Sequence, residues 1–176
     1  MSCRKKTYCR RTWVPAVLII ILLFPLFISA FQNEPEGFRG IKWGANIAEL
    51  PDMSLAEDSG ETKYYHREND EMKLGDAAIE RLAYGFYKGK FFMVLIEFNN
   101  FSNFSLMKEA FTHLYGEGDR KSKLLEDYSW HGETVDIMLQ YKGISEVGYV
   151  AYWFKPIAGE REEDKKERFL KGTKKM

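Results

Sequence analysis

The chain has almost no cysteine. Its two, Cys3 and Cys9, both stand ahead of residue 12. From Gln32 onward there is none, which excludes disulfide staples and thiolate metal sites in that part. A surplus of one charge is also missing: Lys+Arg and Asp+Glu both number 26 in 176 residues. That balance excludes the basic signature of a nucleic-acid binder. No H-E-x-x-H occurs, and His66, His113 and His131 have no His or Cys at ligand spacing. No G-x-S-x-G occurs either. Gly143-Ile144-Ser145-Glu146-Val147-Gly148 misses that spacing by one residue and reads as a hairpin turn. Gly116-Glu117-Gly118 follows a helix pattern instead of a strand and lacks the third glycine of a dinucleotide loop. Glu57, Asp58 and Glu61 fit no calcium loop. These absences point away from an enzyme, and no catalytic residue, metal or cofactor is expected.

A local absence says where the chain goes. Trp13 to Phe31 holds no charged residue, and before it stand five cations, Arg4, Lys5, Lys6, Arg10 and Arg11, with no acid. A positive segment followed by an apolar one is an export signal, with the cations held on the cytoplasmic side. Ser29-Ala30 offers small residues for cleavage after Ala30, and Pro25 breaks the helix before it. As a helix the apolar run would span about 28 Å, near a hydrocarbon core, so an uncleaved anchor is the alternative. The sequence therefore predicts a signal peptide at 1–30, a linker at 31–37, an α+β domain at 38–156 and a charged tail at 157–176. The product would be periplasmic or extracellular, or anchored in the inner membrane through residues 13–31 with its domain outside the cytoplasm. Everything beyond Gln32 carries 26 acids against 21 cations, a net charge of −5.

The period of the apolar residues sets the expected elements. Phe38 to Gly44 reads as a short strand, Asn46 caps a short helix stopped by Pro51, and residues 54–62 read as a loop. Lys63 to Glu68 is a strand. Around Gly89, Leu82, Tyr84, Phe86, Phe92, Val94, Ile96 and Phe98 share even parity, which a three-residue loop at Tyr87-Lys88-Gly89 would keep on one core face. Asn103 or Ser105 caps a helix through Tyr115 with Met107, Ala110, Phe111 and Leu114 as its apolar stripe. Strands follow at about 126–131, 134–142 and 145–154, turning at Gly132-Glu133 and Gly143-Ile144. The tail suits a frayed helix, acidic first and basic last, with too few apolar residues to face a core. The fold class expected is α+β: one antiparallel sheet with helices on one face, in two helix-plus-three-strand units, residues 46–98 and 104–154.

That layout is similar to the tandem helix-plus-sheet arrangement of bacterial β-lactamase inhibitory proteins and small outer-membrane assembly lipoproteins, an architectural analogy without functional content. Four segments carry a closer resemblance: Phe38-Arg39-Gly40-Ile41-Lys42-Trp43-Gly44, Lys73-Leu74-Gly75-Asp76, Tyr84-Gly85-Phe86-Tyr87 and Leu114-Tyr115-Gly116. They resemble a family of small, exported, uncharacterised bacterial proteins, many from sediment-dwelling, metal-reducing lineages. The resemblance implies export and a single compact domain, and no site residue.

Aromatic residues are the one surplus, 15% of the chain with 13 Phe and 10 Tyr. Most fall on the expected core face. Met138, Tyr149 and Trp153 fall on the opposite, mixed face with Ser129, His131, Thr134, Asp136 and Gln140. Tyr and Trp at a partly polar surface mark protein interfaces, so these three are the candidate binding residues. The expected function is a protein-interaction module with a partner in the cell envelope. The alternative is a small-ligand domain with an aromatic pocket between helix and sheet. A fold-back of the C-terminal segment over the three residues is a third arrangement the sequence allows.

Overall fold

A computed structural model describes residues 31–120, 122 and 124–173. The expected signal segment, residues 1–30, lies outside the described residues. Among the described residues no helix is long and apolar enough to cross a membrane.

The chain begins with a small hairpin, β1 (Gly37–Phe38) and β2 (Ile41–Lys42), in place of the single strand expected there. Arg39 and Gly40 both have positive φ and form its turn. A single 3-10 turn follows at Ile47–Glu49, where the Asn46 carboxamide oxygen accepts from the Ala48 N–H. The expected loop at 54–62 is instead a strand, β3 (Met53–Ser59), paired with β4 (Thr62–Arg67). A second small hairpin, β5 (Lys73–Leu74) and β6 (Ala77–Ala78), precedes the long pair β7 (Arg81–Tyr87) and β8 (Lys90–Asn99). Helix α1 (Phe101–Tyr115) leads through β9 (Asp119–Arg120) to β10 (Glu126–His131), β11 (Val135–Lys142) and β12 (Val147–Phe154). Helix α2 (Lys155–Thr173) continues without a break from β12.

Eight strands form one antiparallel sheet in the order β3-β4-β7-β8-β12-β11-β10-β9. Each half of the chain contributes four strands, one more than expected, and the halves meet where β8 pairs with β12. The first half has its 3-10 turn where a helix was expected.

Parity in the long hairpin is kept by a different device from the one expected. The turn has two residues, Lys88 (φ 48°) and Gly89 (φ 78°), the positive-φ pair that matches strand twist in a hairpin. Such a turn alone would pair even with odd. A bulge beside Gly85/Phe86 inserts Phe92 as an extra residue, and beyond it Leu82 faces Ile96 and Tyr84 faces Val94. Phe91 thereby enters the core and Phe92 leaves it.

One face of the sheet is the core. Leu82, Tyr84, Phe86, Phe91, Val94, Ile96 and Phe98 join Val135, Ile137, Leu139, Val150 and Tyr152 there. Over the second half, α1 covers them with Phe104, Met107, Phe111 and Tyr115. The helix starts earlier than expected, because Asn100 caps it by accepting from the Asn103 N–H. Its stripe also rotates: Leu114 is exposed, and Tyr115 packs edge-on against Phe31 and Trp130 instead. Over the first half, the β1–β2 segment supplies Phe38, Ile41 and Trp43, the last stacked 4.7 Å from Phe91. The turn after β10 lies one residue later than expected, and the loop after β11 is two residues longer. Gly132 bonds Val135 around Glu133-Thr134, and a four-residue loop, Gly143 to Glu146, joins β11 to β12. Both shifts conserve parity, so the face assignments of these strands hold.

Helix α2 does not share the core face. Its buried residue Ile157 packs with Tyr87 and Phe92, which alternation turns to the other side of the sheet. Ile157 is a single contact and no core-facing stripe. Polar groups secure the next turns. Asp164 accepts from the Tyr87 hydroxyl at 2.7 Å and from Lys88 at 2.5 Å, Arg161 donates to the Thr62 hydroxyl at 3.1 Å, and Arg168 pairs with Glu61. Burial and the bond to Asp164 push the Tyr87 hydroxyl up to about 12. Lys88 and Tyr87 hold the Asp164 carboxyl below the usual carboxylate range.

Candidate functional site

The sheet face opposite α1 carries the three sequence-predicted residues. Strand register arranges their neighbourhood in rows. One row runs Tyr64, Gly85, Met93, Trp153, Asp136; the next runs Ala83, Leu95, Ala151, Met138, Ser129; the third runs Arg81, Glu97, Tyr149, Gln140. Met138, Tyr149 and Trp153 thus lie on three adjacent rows of one face, and each is half-buried. None belongs to the core cluster, which is complete without them.

Side-chain size shapes this surface. Ala83 and Ala151 flank Leu95 on either side, and Gly85 stands in the row above. Tyr64, Trp153, Met138 and Tyr149 rise around them. Small residues at the centre and large ones around them leave a hollow of about 520 Å³. A methyl group at Gly85 would stand 3.0 Å from the Met93 Cβ and 3.4 Å from the Tyr64 ring, so that row is already in contact. Leu95 is 36% exposed at the floor, an unusual place for a leucine in the middle of a sheet. Glu57, His66, Arg81 and Glu97 line the hollow as well and give it a charged margin. His66 Nδ1 lies 2.7 Å from the Leu82 carbonyl, which can only accept, so that nitrogen carries the proton and donates. Nε2 of a neutral His66 is then an acceptor. On the far side, Lys142 stands 5.3 Å from the centre of the Tyr149 ring.

Helix α2 does not fold back over this hollow. Its buried contact is with Tyr87 and Phe92, at the end of the sheet where β7 turns into β8. Beneath α1, Phe104, Met107 and Phe111 are at most 2% exposed and fill the space against the sheet with rings and a thioether. Along the edge of the helix a hollow of about 690 Å³ opens, lined by Phe101, Lys108, Thr112 and Glu126.

A second cluster lies beyond the His66 and Arg81 margin, around a hollow of about 470 Å³. Asp70 accepts from the Tyr84 hydroxyl and from Arg39, both at 2.5 Å, and Arg67 donates to Asp52 at 2.5 Å. Arg39 also donates to the carbonyls of Glu71 and Lys73. Both oxygens of Asp70 are engaged in holding the 68–74 loop, and burial together with the bond to Asp70 raises the Tyr84 hydroxyl far above its ordinary value. These contacts clamp the 68–74 loop against the sheet, and His66, Glu80 and Arg81 line the hollow beside them. Among the described residues no three His, Cys, Asp or Glu converge to hold a metal ion.

No protein-family model matches the chain, and neither a curated protein nor a solved structure does.

The sequence reading missed Tyr64, Ala83, Leu95, Ala151, Arg81 and Glu97. Arg81 and Glu97 hold odd positions in the hairpin whose even positions form the core face. What joins them to Tyr149 is the pairing of β8 with β12, across a separation that no local pattern encodes.

Proposed function

We propose that this protein is an exported, non-enzymatic interaction module whose working surface is the outer face of the sheet. Its partner would be another protein of the cell envelope, inserting an apolar side chain between Leu95, Met138 and Trp153. One observation carries the reading. Tyr149 and Trp153 are half-buried around an exposed leucine on a face that α1 does not cover, while the core closes without them. Rigid amphipathic rings around a desolvated centre are the composition of a protein-binding hot spot. The cations and apolar run before Gln32 support export, and the resemblance at Phe38–Gly44 agrees with it. Processing after Ala30 would leave Phe31 as the mature N-terminus, which mass spectrometry of protein from the envelope reads directly.

A photo-cross-linking residue at Met138, compared with one at Glu109 on α1, tests the surface in cells. The reading expects one discrete product from position 138 and none from 109, lost in a folded Tyr149→Ala/Trp153→Ala variant. Equal products from both positions, or a product that survives the double substitution, would remove it.

A small molecule in the same hollow is the second reading. The volume of about 520 Å³ falls within the range of ligand sites, and an apolar floor with His66, Arg81 and Glu97 at its margin suits an amphiphilic compound. A rise in Tm with one member of a metabolite panel, absent in Trp153→Ala, favours it over the protein partner.

A further inference from the structure

Helix α2 is two helices in charge. Residues 157–164 hold four acids and one cation; residues 165–173 hold four cations and one acid. The acidic half is bound to the body. Ile157, Arg161, Asp164 and Arg168 fall at helical spacing along one side, and each contacts the β7–β8 or β3–β4 end of the sheet. On the opposite side Glu162 and Glu163 stand in the acidic half, and apolar groups stand in the C-terminal half. Lys166, Phe169 and Leu170 fall at i, i+3 and i+4 there, with Phe169 70% and Leu170 51% exposed. Two large apolar side chains amid lysines, on a helix side turned from the body, form the pattern of a helix lying in a bilayer interface.

The place of this helix in the fold agrees. Residues 31–34 are held against the β10–β11 turn. The Glu34 carboxylate accepts from the Glu133 and Thr134 N–H groups, the Thr134 hydroxyl and the Val135 N–H. Gly132 permits this approach, since a methyl group there would stand 2.4 Å from the Phe31 ring. The same turn starts α2: the Lys155 N–H donates to the Thr134 carbonyl at 2.8 Å, and its Nζ to the Gly132 carbonyl at 2.6 Å. The entry of the chain from its apolar N-terminal run and the origin of α2 therefore occupy one end of the sheet.

We propose that the C-terminal half of α2 is a membrane-surface contact, laying Phe169 and Leu170 into the interface of an anionic bilayer while Lys165 and Lys166 meet its headgroups. Charge complementarity selects this occupant: the last nine residues of α2 carry a net charge of +3 on a domain that is otherwise acidic. The contact is separate from the outer sheet face, and either can fail without the other.

The test uses the full chain, with Cys3 and Cys9 changed to Ser and Thr173→Cys carrying an environment-sensitive fluorophore. It is reconstituted into phosphatidylcholine vesicles and into vesicles that also contain phosphatidylglycerol. Any insertion of residues 13–31 is common to both, so the difference reports on α2. The proposal expects a blue shift and protection from an aqueous quencher in the anionic vesicles alone. Both should vanish at about 1 M salt, where screening acts within roughly 3 Å. Lys165→Gln/Lys166→Gln should weaken partitioning of the tail about twenty-five-fold, roughly fivefold for each lysine. Phe169→Ser/Leu170→Ser should abolish it with circular dichroism unchanged, since both side chains are exposed. Identical spectra in the two vesicles would overturn the proposal, as would a shift that persists in the Phe169→Ser/Leu170→Ser variant. A shift produced by soluble polyglutamate and not by vesicles would overturn it in favour of an acidic polypeptide.

Discussion

The two faces of the sheet are made from alternate residues of the same strands, yet they obey different rules. On the inner face, Val94, Val135, Leu139 and Val150 have no exposed surface, and every neighbour constrains them. On the outer face, Leu95, Met138, Tyr149 and Trp153 keep part of their surface in water beside charged groups. An antiparallel sheet with one solvated face normally turns polar side chains to the water. Here the outer face is apolar at its centre, so folding alone does not account for its composition. The inner face reports what the fold requires, and the outer face carries apolar groups that the core does not use.

The largest expected effect breaks the inner face. Phe111 is 2% exposed and packs edge-on against Trp130, Tyr115 and Tyr152 at 5.5–6.2 Å. Phe111→Ala should cost about 3–5 kcal/mol of stability in equilibrium denaturation. A loss under about 1 kcal/mol would mean that α1 is not the cover of this face.

Next in size is a close approach on the same face. A methyl group at Gly148 would stand 2.1 Å from the Phe98 ring, because that ring occupies the space a side chain would need. Gly148→Ala should destabilise by about 1–3 kcal/mol through overpacking. Gly143, in the adjoining turn of the same hairpin, has open space around its Cβ position and no positive φ. Gly143→Ala should be neutral or stabilise by about 0.4–1 kcal/mol. The midpoints of the two variants in urea give the comparison, and equal shifts would contradict the register.

A smaller effect sharpens the contrast. Trp153→Ala should cost about 1–2 kcal/mol, since only part of that side chain leaves water on folding. Its loss should stay below half that of Phe111→Ala. A cost equal to that of Phe111→Ala would place Trp153 in the core and remove the reason for assigning the outer face a binding role.

The inner face was legible from residue period alone. Leu82, Tyr84 and Phe86, and then Tyr128, Trp130, Ile137 and Leu139, took their sides from parity, and turn shifts of two in register did not disturb it. Phe92 broke the pattern because a bulge changes parity within a strand, and no composition marks it. Strand β3 was read as a loop because it is exposed along most of its length at the edge of the sheet, where no burial demands alternation. Its acids, Glu57 and Asp58, suit an edge that must not pair with another chain. Leu114 and Tyr115 exchanged roles because the ring of Tyr115 meets Phe31, Phe111 and Trp130, a gain that only the folded N-terminal segment supplies. At the candidate site, Met138, Tyr149 and Trp153 followed from parity. The hollow did not, because its floor combines Ala83 and Leu95 of one half with Ala151 of the other.

The smallest expected effect concerns the polar latch that holds the N-terminal segment, where charge is used instead of apolar contact. Burial raises the Glu34 carboxyl, but the Thr134 hydroxyl and the N–H groups of Thr134, Glu133 and Val135 outweigh it and hold the group below its ordinary value of 4.5. A carboxyl lowered in the folded state contributes stability that is present above its unfolded pKa and lost as pH falls through the folded one. The latch should therefore be whole at neutral pH and release only in acid below the ordinary glutamate range. The Thr134 and Val135 amide resonances should move together through one titration with a midpoint below 4.5, and Glu34→Gln should abolish it. A midpoint at or above 4.5 would mean that these donors do not close on Glu34, and that the N-terminal entry and the start of α2 are not fixed to the same turn.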